Sequence, residues 1–409
     1  MTLPTVFSPA ELAEVMDYHR PQYVYAAVAQ VLDVVVIALL LRFGVRTFYR
    51  WGEASASALS RRTHRFQGVP VLRALPATMD TLWGGPGWGT ALLFASFSFL
   101  VLNTVFLPVD FYFGHVLEHR HGLSNRDLAG YVWDSVKDWG FRLGAKAALV
   151  VGLYGLARRL LRWWAWLGAV AGAALLFAGM MDPLANRLAI EQSPLPEGPL
   201  RQHLTALMHR ADAAFEDVVV ERASKTTKKV GAYFAGQGPT RTIVLSDTLV
   251  AAFPDEEIEA AVAHELGHLR ETSLPGRVAA SLALVAFLFA LDRLFRLSAR
   301  RGWFGATDFA DVRTLPLVSV AAYLLFAVAV PVSSAFARER EREADLYALA
   351  LTGKPEAFQS MLVRVARMNK LDPSPPRWIV LLGDTHPSIV ERLELAEQRK
   401  APPPSPRAP

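Results

Sequence analysis

The chain has 409 residues, 52% of them hydrophobic, and a mean hydropathy of +0.23, which is high for a soluble domain and implies membrane spans. It has no cysteine, which excludes disulfides, thiol catalysis and cysteine-based zinc sites. The formal net charge of +5 comes largely from arginines in short segments between apolar runs, a pattern of membrane topology and not of nucleic-acid binding.

In chain order, Met1–Arg20 is polar and does not read as a cleaved signal peptide. Ala26–Val45 is the first expected span, interrupted by Gln30 and Asp33, with Asp33 close enough to one end to lie at the interface. Arg46–Pro86 is polar and arginine-rich, with no apolar run of spanning length. Gly89–Val109 is the second span. Phe111–Trp139 reads as a mixed-charge loop containing Glu118, His119, Arg120, His121 and Gly122. Its two histidines at i, i+2 would point apart on a helix, which favours packing or substrate-side contacts over metal binding. Phe141–Leu156 is a short third span, expected to form a tight hairpin with a fourth over Trp163–Met181, since a span needs about 20 apolar residues.

Asp182–Gly276 is the first long polar stretch. A helix is expected over Leu200–Phe215 and strands over Asp217–Glu221, Val230–Ala235 and Thr242–Leu245, with Gly236–Thr240 turning the last two into a hairpin. Arg277–Leu297 and Leu315–Phe336 are the fifth and sixth spans. Helices follow over Ala337–Leu351, ending at Gly353, over Pro355–Lys370, and over Ser388–Lys400 behind Pro387.

The strongest chemical signal lies in Pro254–Thr272, where His264, Glu265, Leu266, Gly267 and His268 form H-E-x-x-H. On a helix, two histidines at i and i+4 share one face and can reach one Zn²⁺. The metal would lower the pKa of a bound water towards about 7, where Glu265 can take its proton. Asp255 reads as the N-cap, Glu256 and Glu257 suit the positive end of the helix dipole, and Ile258, Val262 and Leu266 form an apolar stripe. With 10 histidines in the chain, the motif should arise by chance on the order of 0.01 times. A catalytic zinc takes three protein ligands. The metzincin arrangement is excluded because Glu271 and Leu274 stand where it needs Gly and His. Glu341-Arg342-Glu343-Ala344-Asp345 is the best alternative source: Glu341 and Asp345 share a helical face, and Ala344 and Ala348 would let that helix approach closely. Spacing alone leaves open a solvated charge run over Arg338 to Asp345.

With HELGH at 264–268, E-x-x-A-D at 341–345 and THPSIVERL at 385–393, the chain resembles the integral-membrane zinc proteases of the type I CAAX prenyl endopeptidase family. EHRHGLSN at 118–125, LPEGPLR at 195–201, AYF at 232–234 and IVLSDTL at 243–249 fit the same family in order, so the likeness spans roughly Phe94 to Leu395. The resemblance implies a gluzincin site in which His264, His268 and Glu341 bind one Zn²⁺ and Glu265 is the general base. It implies that Asp345 is a supporting acid or proton donor, and that His386 and Arg392 sit by the active site, His386 at the oxyanion. Ala232, Tyr233 and Phe234 would form the edge strand that pairs with substrate. Gly231 stands where the family has Asn, so one substrate contact is expected to be missing. The family has seven spans against the six counted here.

The expected fold is a mainly α, polytopic membrane protein of about six spans with a zincin-like α+β domain carrying a small sheet. Its parts are an N-terminal transmembrane region at 1–183, a zinc metallopeptidase domain at 184–400 that includes spans at about 277–297 and 315–336, and a disordered proline-rich tail at 401–409. The expected function is zinc-dependent endopeptidase hydrolysis in the bilayer, on a peptide or protein substrate that is membrane-associated or C-terminally lipidated, with no nucleic-acid partner. Alternatives are a quality-control protease without prenyl specificity and a non-catalytic zinc-binding scaffold or transporter. Six spans put the N-terminus and the zinc domain on one side. Loop arginines argue that this side is external and the family argues that it is cytosolic; the cytosolic assignment is preferred.

Overall fold

The computed structural model describes residues 6–63, 87–177, 191–213, 215, 217–235, 241–269 and 274–400. The polar, arginine-rich stretch Arg46–Pro86 lies mostly outside these residues, as do the Gly236–Thr240 turn, the end of the fourth span and the 401–409 tail.

The first helical unit is α1, Pro9–Leu39, followed by a π-helical turn at Leu40–Gly44 and then α2, Val45–Thr63. It therefore begins well before the expected span at Ala26. Next come α3, Trp88–Phe111, α4, Leu128–Arg159, and α5, Trp163–Phe177. A π-turn at Tyr112–Leu117 carries α3 on to Arg120, and the Asp127 side chain caps α4 by accepting from the Gly130 N–H at 2.8 Å. The expected loop over Phe111–Trp139 thus shrinks to a link at 121–127, and the marginal third span becomes part of a 32-residue helix. Most of the charge at 118–138 sits on the helix ends that flank this link.

Two further long apolar helices are α9, Leu274–Arg301, and α10, Leu315–Thr352. Among the described residues, four helices are long and apolar enough to cross a membrane, the bent α1–α2 pair passes the same test as a unit, and α5 is shorter. Apolar side chains on α10 such as Leu324, Phe326, Val328 and Phe336 point outward, as a lipid-facing surface requires. α5 seats on α9 through small residues: a Cβ on Gly168 would lie 2.7 Å from Val285 Cγ2, and one on Gly172 would lie 3.3 Å from Ser281 Cβ. α10 runs without a break from the apolar layer into the charged segment, so the expected span and the Ala337–Leu351 helix are one element, ending at Gly353 with φ 64°.

A hydrophobic core lies under a four-stranded sheet, in the order β1 (Gln192–Pro194), β2 (Asp217–Glu221), β4 (Thr242–Ser246), β3 (Ala232–Ala235). β2 and β4 are parallel and the outer strands antiparallel. All five residues of β4 are buried, as its Ile-Val-Leu run suggests, and β3 is an edge. Between the strands and the next span come α6 (Pro199–Arg210), α7 (Asp247–Ala252) and α8 (Asp255–His268). After α10 come α11 (Pro355–Asn369), α12 (Arg377–Leu382) and α13 (Ile389–Lys400). Pro254, not Asp255, caps α8: its extended ψ of 150° lets its carbonyl accept from the Glu257 and Ile258 N–H groups.

The link at 121–127 is stitched to this domain. Ser124 bridges Thr227, and the Asn125 and Lys228 N–H groups donate to the Thr226 and Leu123 carbonyls. The His121 ring packs edge-on against Tyr18, and His119 lies beside His115, so both histidines have packing roles.

Candidate metal centre

α8 and α10 cross where Gly267 faces Ala344. A Cβ on Gly267 would lie 2.6 Å from Ala344 Cα, closer than real Cβ contacts come, so only glycine permits this approach. This glycine in the last turn of α8 is the signal that could have identified the contact from sequence. The crossing brings the α8 histidines against the acids of α10. His264 Nε2 is 3.1 Å from Glu341 Oε2, and His268 Nε2 is 3.2 Å from Glu341 Oε1. Ligand atoms of His264, His268 and Glu341 all lie within 4.8 Å of one another, a group that could hold a metal ion.

The residues fit a zinc ion on grounds of their own. Glu341 Oε2 is buried with no hydrogen-bond partner, an expensive state for a carboxylate oxygen unless a cation completes it. His264 Nδ1 lies 2.7 Å from Asp345 Oδ1. An ionised carboxylate only accepts, so Nδ1 carries the proton and the Nε2 lone pair faces the Glu341 side, ready for a metal. Two imidazoles and one carboxylate are a common catalytic zinc set.

Asp345 is fully buried and takes a bidentate clamp from Arg392, at 2.8 Å to Oδ2 and 2.6 Å to Oδ1. Arg392 and the His264 ring together occupy both Asp345 oxygens. Arg392 itself lies in the core, 3.4 Å from His264 Nδ1, and not on an open face. Burial pushes the Glu265 carboxyl up from its ordinary value, partly offset by His264 and His268, which moves it towards the range a general base needs. His386 Nε2 lies 3.4 Å from Glu341 Oε2, and its Nδ1 is 3.0 Å from Thr385 Oγ1. Thr385 is a neighbour that sequence reasoning did not single out.

Gly231, Ala232, Tyr233 and Phe234 lie on or just before β3, beside α8. Ala232 and Phe234 face the core under the sheet, while the Tyr233 hydroxyl crosses the other face to donate to Glu221 at 2.9 Å. Among the described residues, no strand covers the outer edge of β3. Glu343, on the same helix as Glu341, is not part of the ligand group.

Residues 194–400 match the model for peptidase family M48, and residues 2–185 match the CAAX prenyl protease N-terminal model, which has five membrane helices. A metalloprotease of Bacillus subtilis, YhfN, is 28% identical over 74% of this chain and 72% of its own. The mouse CAAX prenyl protease 1 homolog is 25% identical over 96% of this chain and 89% of its own. The crystal structure of S. mikatae Ste24p shares the fold, with a TM-score of 0.68 at 19% identity over 95% of this chain and 99% of that one. With the family model covering 194–400, a histidine–glutamate cluster fit for a metal and apolar helices able to cross a membrane, the chain belongs to peptidase family M48, as a multi-pass membrane metalloendopeptidase of the type I CAAX prenyl protease kind.

Proposed function

We propose that the chain is a zinc endopeptidase in which His264, His268 and Glu341 hold the ion and Glu265 is the general base. The observation that carries this is the Glu341 carboxylate, whose two oxygens face His264 Nε2 and His268 Nε2 and whose buried Oε2 has no hydrogen-bond donor, with Glu265 next to His264 on α8. When bound, zinc supplies Lewis-acid polarisation of the scissile carbonyl and acidifies the attacking water. Glu265 accepts the proton of that water and returns it to the leaving amine. His386 donates to the oxyanion as it develops. Asp345 holds His264 in the tautomer that leaves Nε2 free, and Arg392 neutralises Asp345. The substrate backbone lies along the open edge of β3, which gives affinity with little demand on sequence.

The substrate is a membrane-associated peptide with a C-terminal lipid. The near full-length similarity to proteins named CAAX prenyl proteases supports this reading, as does a site at the end of membrane helices. The zinc domain faces the cytosol, together with the 121–127 link that pairs with it. A reporter fused after Gly353 that is active outside the cell would defeat that sidedness.

The deciding experiment uses the full chain in detergent, with farnesylated and unmodified versions of one quenched peptide. Glu265→Gln is expected to abolish cleavage while zinc stays at one per chain. Retention of more than a small fraction of the rate removes Glu265 from the role of base, and equal cleavage of both peptides removes the lipid from the substrate.

A further inference from the structure

His386 faces Glu341, yet its side chain is 60% exposed, so packing does not hold it in place. Its position must come from its backbone. The loop that carries it, between α12 and α13, is fastened at both ends. At the near end Arg338 Nη1 donates to the Val380 carbonyl at 2.8 Å and to the Asp384 carbonyl at 2.6 Å. Ser334, one turn earlier on the same helix, donates to the Gly383 carbonyl at 3.2 Å. At the far end Ser388 and Glu391 form a reciprocal capping box, with the Ser388 N–H 2.8 Å from Glu391 Oε2 and the Glu391 N–H 3.2 Å from Ser388 Oγ. Only Thr385, His386 and Pro387 lie between the two fastenings.

The near fastening comes from the helix that carries the ligand. Arg338 precedes Glu341 by three residues on α10, so the two lie on neighbouring positions of one helical face. We propose that Arg338 is a positioning residue for catalysis: it ties the His386 loop to the Glu341 helix and so sets where the His386 imidazole stands relative to the metal ligands. The planar guanidinium with its fixed donors suits this, since it reaches two carbonyls with one group where a lysine would reach them loosely. The loop is at the surface, so water can replace the lost donors. The loss therefore falls on the position of His386 and not on folding. Thr385 supports the same end by holding the His386 ring at Nδ1.

The inference rests on the role proposed above for His386, and the test separates the two. The full-length chain in detergent is compared with Arg338→Met, Arg338→Lys, His386→Ala and the Arg338→Met/His386→Ala pair, using the quenched peptide. Arg338→Met is expected to lower kcat by about 10- to 100-fold, the scale of a misplaced catalytic group, with KM within about twofold. Zinc is expected to stay at one per chain, and Arg338→Lys to recover part of the rate. In the His386→Ala chain, Arg338→Met is expected to add less than about twofold, because the two act as one unit. An unchanged kcat, equal losses in both backgrounds, or lost zinc overturns the proposal. Because the chain has no native cysteine, Thr385→Cys carries a spin label cleanly. The label is expected to be restricted in the parent chain and free in Arg338→Met. If the parent cleaves nothing, or His386→Ala runs at full rate, the preceding reading fails and the label decides alone: equal restriction in both chains overturns the tie.

Discussion

Two buried aspartates at different places in the molecule have nearly the same surroundings. Asp345, on α10, takes a bidentate arginine from α13 and a ring N–H from His264. Asp292, on α9, takes a bidentate clamp from Arg296 at 2.8 and 3.2 Å and a ring N–H from Trp163 at 3.0 Å. Both are sealed from solvent, at 0% and 1% exposure. The difference is what lies beyond the ring. Indole has one nitrogen, so the Asp292 network closes on itself and only ties α5 to α9. Imidazole has two, so the Asp345 network ends in a free lone pair beside an unpartnered Glu341 oxygen. The same device is a rivet between membrane helices in one place and the support of a candidate metal group in the other.

Removing the ligands should give the largest effect. His264→Ala and Glu341→Ala are each expected to abolish stoichiometric zinc, measured by metal analysis of the purified protein. If Glu341→Ala keeps zinc at unchanged affinity, the third ligand is elsewhere, with Glu343 and Asp345 next to test. The comparison is sharpened by breaking each aspartate in turn. Asp345→Ala leaves Arg392 charged and unpaired in the core, at a cost of about 3–5 kcal/mol. It also frees the His264 ring, which should weaken zinc binding by about 10- to 100-fold. Asp292→Ala is expected to lower thermal stability alone, because the half-exposed Arg296 can turn to solvent; the lost bonds cost about 1–3 kcal/mol. Its zinc content and its kcat per folded molecule should match those of the parent chain. A shared loss of zinc affinity in both variants would mean that Asp345 has no special hold on His264.

The parts legible in the sequence were those whose cause is local. HELGH puts two candidate ligands on one helical face because i, i+4 spacing places them whatever the rest of the chain does, and β2 was read to the residue from its Val-Val-Val run. Glu341 was ambiguous because His264 and His268, which it meets, lie far back in the chain and its neighbours form a charge run that a solvated face would share. Asp345 could be ranked beside Glu341 but not told apart from it, since the Arg392 clamp that buries it comes from α13. β1 escaped notice because it is three residues long, polar and ends in Pro194; β2 pairing alone makes it a strand. The loop expected over Phe111–Trp139 failed because charge was taken as a sign of broken helix, when most of it sits on the helix ends that flank the 121–127 link. Gly267 carried a clear signal, a glycine within a helix one residue from a ligand, that the motif itself obscured.

The smallest expected effect concerns the substrate edge, where this chain has Gly231 before β3. A Cβ at this position would meet no atom within 4 Å, and its φ lies outside the left-handed region, so a side chain can be added without strain. The backbone here is already held independently of that side chain. The Gly231 N–H donates to Ser246 Oγ at 3.0 Å, and the Ser246 N–H donates to the Gly231 carbonyl at 2.9 Å. Gly231→Asn should therefore fold like the parent, with a melting temperature within a degree or two, since surface changes away from such contacts usually stay within about 0.5 kcal/mol. The added amide supplies a donor and an acceptor beside the edge where the substrate backbone is proposed to lie. One hydrogen bond gained there is worth about 0.5–1.5 kcal/mol, which predicts a KM lower by roughly two- to tenfold at unchanged kcat. Gly231→Ala is the control, with the side chain but no amide, and should leave KM as it is. If Asn and Ala behave alike, the substrate does not run past Gly231, and the path along β3 must begin further into the strand.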